Sequence, residues 1–167
     1  PGSQDFGRTR MYFEINDNFS EIPSDAKINS AYLRVYQYTK VDSSAQMGCY
    51  KVDEPYNIDT IVYSEAIHLK QTIAGTKSVL DSNIGFHNFD IRETVNDWIR
   101  GLSPNYGLCI KPEHEHMAVG AFFTPYSFVG QNVFSPDKAP QIIIDWEIPN
   151  PVDKDYPLDN TTINLRT

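Results

Sequence analysis

His114 and His116, on either side of Glu115, are the residues of this 167-residue chain that come nearest to metal chemistry by type and spacing. On a strand, alternate side chains share a face, so the pair would offer two imidazole nitrogens to one zinc or copper ion. No third ligand stands at a matching spacing, and Pro112 favours a loop, so a solvated turn is the expected state. Asp59 and Asp81 fall in polar loops and are candidates for a structural calcium ion, without the spacing of a helix–loop–helix calcium site. Glycoside cleavage needs two acids facing each other across a cleft. Asp53 with Glu54, and Asp17 with Glu21, read as turn and solvent residues instead. Ser127 and Ser135 have no histidine at a recognised spacing, and no nucleophile elbow or phosphate loop is present. The chain is therefore not expected to be an enzyme, and no cofactor beyond that calcium is implied.

Binding chemistry is better represented. Tyr32, Arg34, Tyr36 and Tyr38 alternate along one segment and are the candidate ligand-binding residues. Sugar rings lay their C–H faces on flat aromatics, while Arg34 and Gln37 could bond hydroxyls. The alternative is that a helix or loop covers this face. A second candidate is the loop with Phe122, Phe123, Tyr126 and Phe128, most of which are expected in the core.

The elements that must position these residues are mostly strands. Met11, Phe13 and Ile15 share a face by the period of two. In the long segment from Lys27 to Tyr38, Ala31, Leu33 and Val35 point opposite to the tyrosines, as in a sheet with one solvated face. Further strands are expected over 48–52, 60–63, 66–69, 85–91, 108–111, 118–123, 131–134 and 141–147, with a weaker one between Thr72 and Leu80. A single helix is expected from Ile91 to Arg100. Asp90 is its N-cap, Glu93 completes a capping pattern, and Gly101 stops it. Ile91, Val95, Trp98 and Ile99 form its apolar stripe, and Trp98 and Trp146 are expected in the core. Short strands with one helix predict an all-β antiparallel sandwich over residues 4–148. Pro1 to Ser3 read as the scar of an expression tag, and the proline-bearing stretch 149–167 as a linker to a following domain.

Composition agrees. Aromatic residues make up 13% of the chain and charged residues 22%, which favours a folded, strand-rich body. The net charge of -8 argues against nucleic acid and anionic lipid as partners. No apolar run approaches the roughly 20 residues of a membrane span. The two cysteines, Cys49 and Cys109, make no disulfide framework; two buried thiols or one bridge between strands both fit.

Several blocks stand in a fixed order. They are Met11-Tyr12-Phe13-Glu14-Ile15, the run from Ile22-Pro23-Ser24 to Arg34-Val35-Tyr36, Phe89-Asp90-Ile91 leading to Trp98-Ile99, Pro104-Asn105-Tyr106-Gly107-Leu108, and Ala139-Pro140-Gln141. This order resembles the DNRLRE-type domain of secreted bacterial proteins, which is related to a carbohydrate-binding module family. The resemblance implies a jelly roll in a large extracellular protein of the cell surface or cell wall. It also implies that polysaccharide, cell-wall glycan or neighbouring domains of the same chain are the partners. The leading expectation is a non-catalytic carbohydrate-binding or adhesion module. Its alternatives are a spacer packing on neighbours in a wall-associated YD-repeat protein, or a propeptide-like protein-binding domain. That last option arises because the block order also resembles the propeptide of the transforming-growth-factor-β superfamily. The DNRLRE pattern carries tryptophans where Tyr56 and Tyr63 stand here. It also starts about one or two strands before Gln4, which implies a sheet edge open for pairing.

Overall fold

A computed structural model of the chain describes residues 10–15, 19–37, 45–60, 69–74, 78–80, 84–112, 138–149 and 160–164. Strand β1 (Met11–Phe13) is followed by β2 (Lys27–Gln37), β3 (Ala45–Val52), β4 (Gln71–Ile73), β5 (Ser78–Leu80) and β6 (Gly85–Asp90). Helix α1 (Arg92–Ile99) then leads to β7 (Leu108–Pro112), β8 (Gln141–Glu147) and β9 (Asn160–Asn164). One sheet runs β1-β7-β3-β4, with β5 pairing on β3 beyond β4; the other runs β6-β2-β8-β9. Every described pairing is antiparallel. The fold is thus an all-β sandwich, with one short helix among the described residues. Among the described residues no helix is long and apolar enough to cross a membrane.

Each strand buries one side because its apolar residues alternate. Phe13, Met47, Cys49, Leu108 and Ile110 from the first sheet meet Leu33, Val35, Phe89, Ile142, Ile144 and Trp146 from the second in one core. Ala31, Leu33 and Val35 are wholly buried, as their alternation requires. Ile28 is also in the core, three residues from Ala31, which a strict alternation forbids. A register shift between Ile28 and Ser30 against β8 turns the chain so that both face inward. At the outer end of that pairing, Lys27 forms an ion pair with Glu147, which holds the Glu147 carboxyl below its ordinary range.

The helix follows the expected stripe. Ile91 and Val95 are fully buried, Trp98 nearly so, and Ile99 packs on the core edge. Its start differs from expectation. Asp90 is still paired with Tyr32 in β6, so Ile91 takes the N-cap position, with no side-chain cap. The Asp90 carboxylate accepts the Arg92 amide instead. Glu93 remains in the first turn, where a negative charge suits the helix dipole. At the other end Gly101, with φ +67°, donates its amide to Trp98, and Leu102 donates to Asp97. That pair of bonds is a Schellman ending, which needs the left-handed residue glycine supplies.

Two other expectations change. The linker foreseen over 149–167 contains β9, which pairs with β8 from Asp145 to Gln141 and buries Ile163. The weak strand between Thr72 and Leu80 resolves into β4 and β5, both on the edge of β3 away from β7. The strands expected over 60–63, 66–69, 118–123 and 131–134 lie largely or wholly outside the described residues. So do His114, Glu115, His116, Ser127, Ser135 and the Phe122–Phe128 loop.

Candidate functional site

The outward residues of β2 lie at the centre of the four-stranded sheet. Tyr32, Arg34 and Tyr36 are each half-buried, and Tyr38 lies outside the described residues. Antiparallel register sets their neighbours. Tyr36 stands opposite Phe86, Arg34 lies between Asn88 and Gln141, and Tyr32 lies between Asp90 and Ile143. Gln37, expected to serve this face, instead points into the core at 1% exposure, because it shares the parity of Val35.

The side chains on this face are organised as cations on rings. The Arg34 guanidinium carbon sits 3.7 Å from the Phe86 ring centroid. The Lys138 ammonium sits 4.7 Å from the centroid of Tyr36. The Tyr36 and Phe86 rings meet edge to face, 4.9 Å apart at 79°. Both arrangements follow from the ring quadrupole, whose face attracts a cation and whose edge seeks another ring's face. These two rings therefore do not make the coplanar platform that a sugar ring would lie on. Phe86 was legible in principle, because Phe86 and Phe89 have opposite parity on one strand and only one can enter the core. Lys138 arrives from a distant loop, and no sequence pattern marks it.

The outer face of the other sheet is covered over β1 and β7 and open at Ile73 of β4. Tyr12, Cys109 and Tyr50 stand in one row across β1, β7 and β3. The Tyr56 ring, from the segment after β3, closes on Tyr12 with centroids 5.4 Å apart. The Gln71 side-chain amide donates to the Tyr12 hydroxyl. Burial, reinforced by Cys109, pushes the Tyr12 hydroxyl up to about 12. Burial pushes Tyr56 up as well, and its hydroxyl is buried with no hydrogen-bond partner among the described residues. Both shifts favour the neutral, protonated form in the folded state. A tyrosine free in the unfolded chain titrates near 10.0. Their contribution to stability is accordingly complete below pH 10; that of Tyr12 is lost as pH rises through about 12, and that of Tyr56 at higher pH still. Tyr56→Phe removes no hydrogen bond found among the described residues, so it should leave the urea midpoint at pH 8 nearly unchanged. Its midpoint should fall less between pH 10 and 12 than that of the unsubstituted chain. Parallel curves for the two proteins across that range would show that Tyr56 carries none of this dependence.

Cys49 and Cys109 form no disulfide and are wholly buried. Cys49 is paired with Ile110 and faces the core, whereas Cys109 is paired with Tyr50 and faces outward under Tyr56. Neighbouring positions on adjacent strands that point to opposite faces cannot be joined by a bridge of normal geometry. Burial pushes the Cys49 thiol up and withholds the reactive thiolate. Ellman's reagent should therefore detect no thiol in the folded protein and both in urea. Rapid reaction of either under native conditions would contradict this packing.

The acidic candidates have structural employment. The Glu54 carboxylate accepts the Lys70 amide, and Asp53 accepts the Thr72 hydroxyl and faces the Lys51 ammonium at 3.8 Å. Asp59 donates its amide to the Asn57 side chain in a turn, and Glu21 is exposed. Asp17 and Asp81 lie outside the described residues. Among the described residues no three of His, Cys, Asp and Glu come together to hold a metal ion.

Of the blocks singled out in the sequence, the Pro104–Leu108 segment proves to be a joint. The Pro104 carbonyl accepts the Trp98 indole N–H. Asn105 donates to the Ile15 carbonyl and accepts the Gly107 amide. Gly107 then approaches the Phe13 carbonyl of β1 so closely that no side chain fits between them.

Comparison with known proteins places this arrangement. The family model described as TGF-beta propeptide matches residues 4–128. That family is the second of the two that the order of blocks resembles. No curated protein matches the chain.

Proposed function

Because this chain belongs to the TGF-beta propeptide family, we propose that it is a non-catalytic domain of a secreted protein whose work is to bind a polypeptide. The family is one of non-enzymatic domains in secreted proteins. The partner is the growth-factor portion of a TGF-beta-type precursor, held against the outer face of the four-stranded sheet around Tyr32, Arg34 and Tyr36. The family match carries this reading. Support comes from the residue types on that face, since Tyr, Phe and Arg are enriched where proteins meet proteins. The carbohydrate and bacterial cell-wall expectations, drawn from the DNRLRE likeness, find no support in the match.

Two parallel assays separate the readings. The chain should bind an immobilised TGF-beta-class growth-factor dimer saturably in biolayer interferometry and give no signal on a glycan array. Retention on a polysaccharide with no growth-factor binding would overturn the proposal and restore the carbohydrate module.

A further inference from the structure

Strands β6, β2 and β8 of the second sheet present an ordered surface. Its middle row is Asn88, Arg34 and Gln141, side by side across β6, β2 and β8. On one side of it lie Phe86 and Tyr36, and on the other Asp90, Tyr32 and Ile143, the Asp90 carboxylate being turned to the Arg92 amide. Polar donors thus run as a stripe between an aromatic row and a mixed one, with Phe86 38% exposed.

Arg34 is the unusual member. The chain carries 22 acidic side chains against 14 basic ones. Yet the described ion pairs are Lys27 with Glu147 and Lys51 with Asp53, and no described carboxylate pairs with Arg34. Its guanidinium lies on the Phe86 ring, a contact made through the guanidinium's face. The N–H donors lie in the guanidinium plane, so stacking leaves their edge for a carboxylate, which can take two parallel bonds from it. Lys138 adds a second positive charge on the neighbouring Tyr36.

We propose that Arg34 receives a glutamate or aspartate side chain from an acidic polypeptide segment laid across β6, β2 and β8. Charge complementarity selects the acid: Arg34 and Lys138 put two cations on this face of an otherwise acidic chain, and its Asp90 carboxylate is turned to the Arg92 amide. Phe86 and Tyr36 on one side and Tyr32 and Ile143 on the other select a polypeptide, which can set an acidic residue between apolar ones, over a uniformly polar uronic-acid polymer. The inference rests on the protein-binding reading and adds the chemistry of the segment that is bound.

The test uses the full chain, labelled with ¹⁵N, and a synthetic heptapeptide alternating glutamate with valine. Peptide addition should shift the amide signals of residues 33–35, 87–89 and 141–143, and less so at 0.5 M salt. The glutamine counterpart should bind about tenfold more weakly or worse, and Arg34→Ala should cause a similar loss, as expected for a charge-assisted bond pair. Arg34→Lys keeps the charge but not the planar fork, and should fall between. Equal binding of the two peptides, or indifference to Arg34→Ala, would overturn the proposal. So would tighter binding of polygalacturonate than of the peptide. The two readings fail separately. Growth-factor binding that ignores Arg34→Ala removes this contact and leaves the protein-binding reading intact. Peptide binding without growth-factor binding does the reverse.

Discussion

Gly107→Ala is expected to cost the fold about 4 kcal/mol and to lower the melting midpoint on the order of 10 °C. Gly107 has φ +90°, where an L side chain is strained at once. A methyl group there would also lie 2.2 Å from the Phe13 carbonyl oxygen and 3.2 Å from the Tyr56 hydroxyl. The tyrosine can swing aside, but the carbonyl cannot. Phe13 is held in register with Leu108, and Gly107's own carbonyl accepts the Val52 amide on the other flank. Any retreat would therefore pull β1 or β3 away from β7. Gly101→Ala is the natural control. It carries the same kind of strain at φ +67°, but nothing lies within 4 Å of the added carbon. It should cost only about 1 kcal/mol. Urea unfolding of both variants measures the difference, which isolates the carbonyl contact. Equal losses would mean that β1 does not press on β7 as described.

Much of this frame can be read from residue order alone, and the places where reading fails have physical causes. The alternation of Ala31, Leu33 and Val35 with Tyr32, Arg34 and Tyr36 sets both faces of β2, because a strand has only two. Ile28 breaks that rhythm, since its inward turn depends on a bulge against β8 that no local pattern announces. The helix stripe was visible at its proper spacing, but its first residue was not. Asp90 is a good capping residue by type, yet pairing with Tyr32 keeps it in β6, so tertiary structure overrides propensity. β9 is masked by its polar sequence; it is held through backbone pairing and one apolar residue, Ile163. The candidate site divides in the same way. Tyr32, Arg34 and Tyr36 follow from periodicity, whereas the Arg34–Phe86 and Lys138–Tyr36 contacts depend on register between segments far apart in the chain.

The helix provides the other large effect. Helix α1 has eight residues, too few to persist alone, so its docking must supply most of its stability. Trp98 is the main anchor. Its ring stacks on Phe19 with centroids 6.0 Å apart and planes 16° from parallel, and its indole N–H reaches the Pro104 carbonyl at 3.1 Å. Phe19 itself holds φ 55°, an uncommon conformation for a bulky residue, and it is retained where the ring is buried against Trp98. Trp98→Ala should therefore cost roughly 3–5 kcal/mol, from the lost aromatic volume and the cavity left behind. Trp98→Phe keeps a ring but leaves the Pro104 carbonyl without its donor, and should cost about 1–2 kcal/mol. A double-mutant cycle with Phe19→Leu should return a coupling of about 1 kcal/mol for the stacked pair. Hydrogen exchange locates the damage. The Ile91 amide bonds to the Ala31 carbonyl, and its protection should fall in Trp98→Ala well before that of the β2–β8 ladder. If Trp98→Ala unfolds at nearly the unsubstituted urea midpoint, the helix is held by Ile91, Val95 and the buried Thr94 hydroxyl bond to Ala74, and the Pro104–Gly107 joint is not the clamp inferred from its hydrogen bonds.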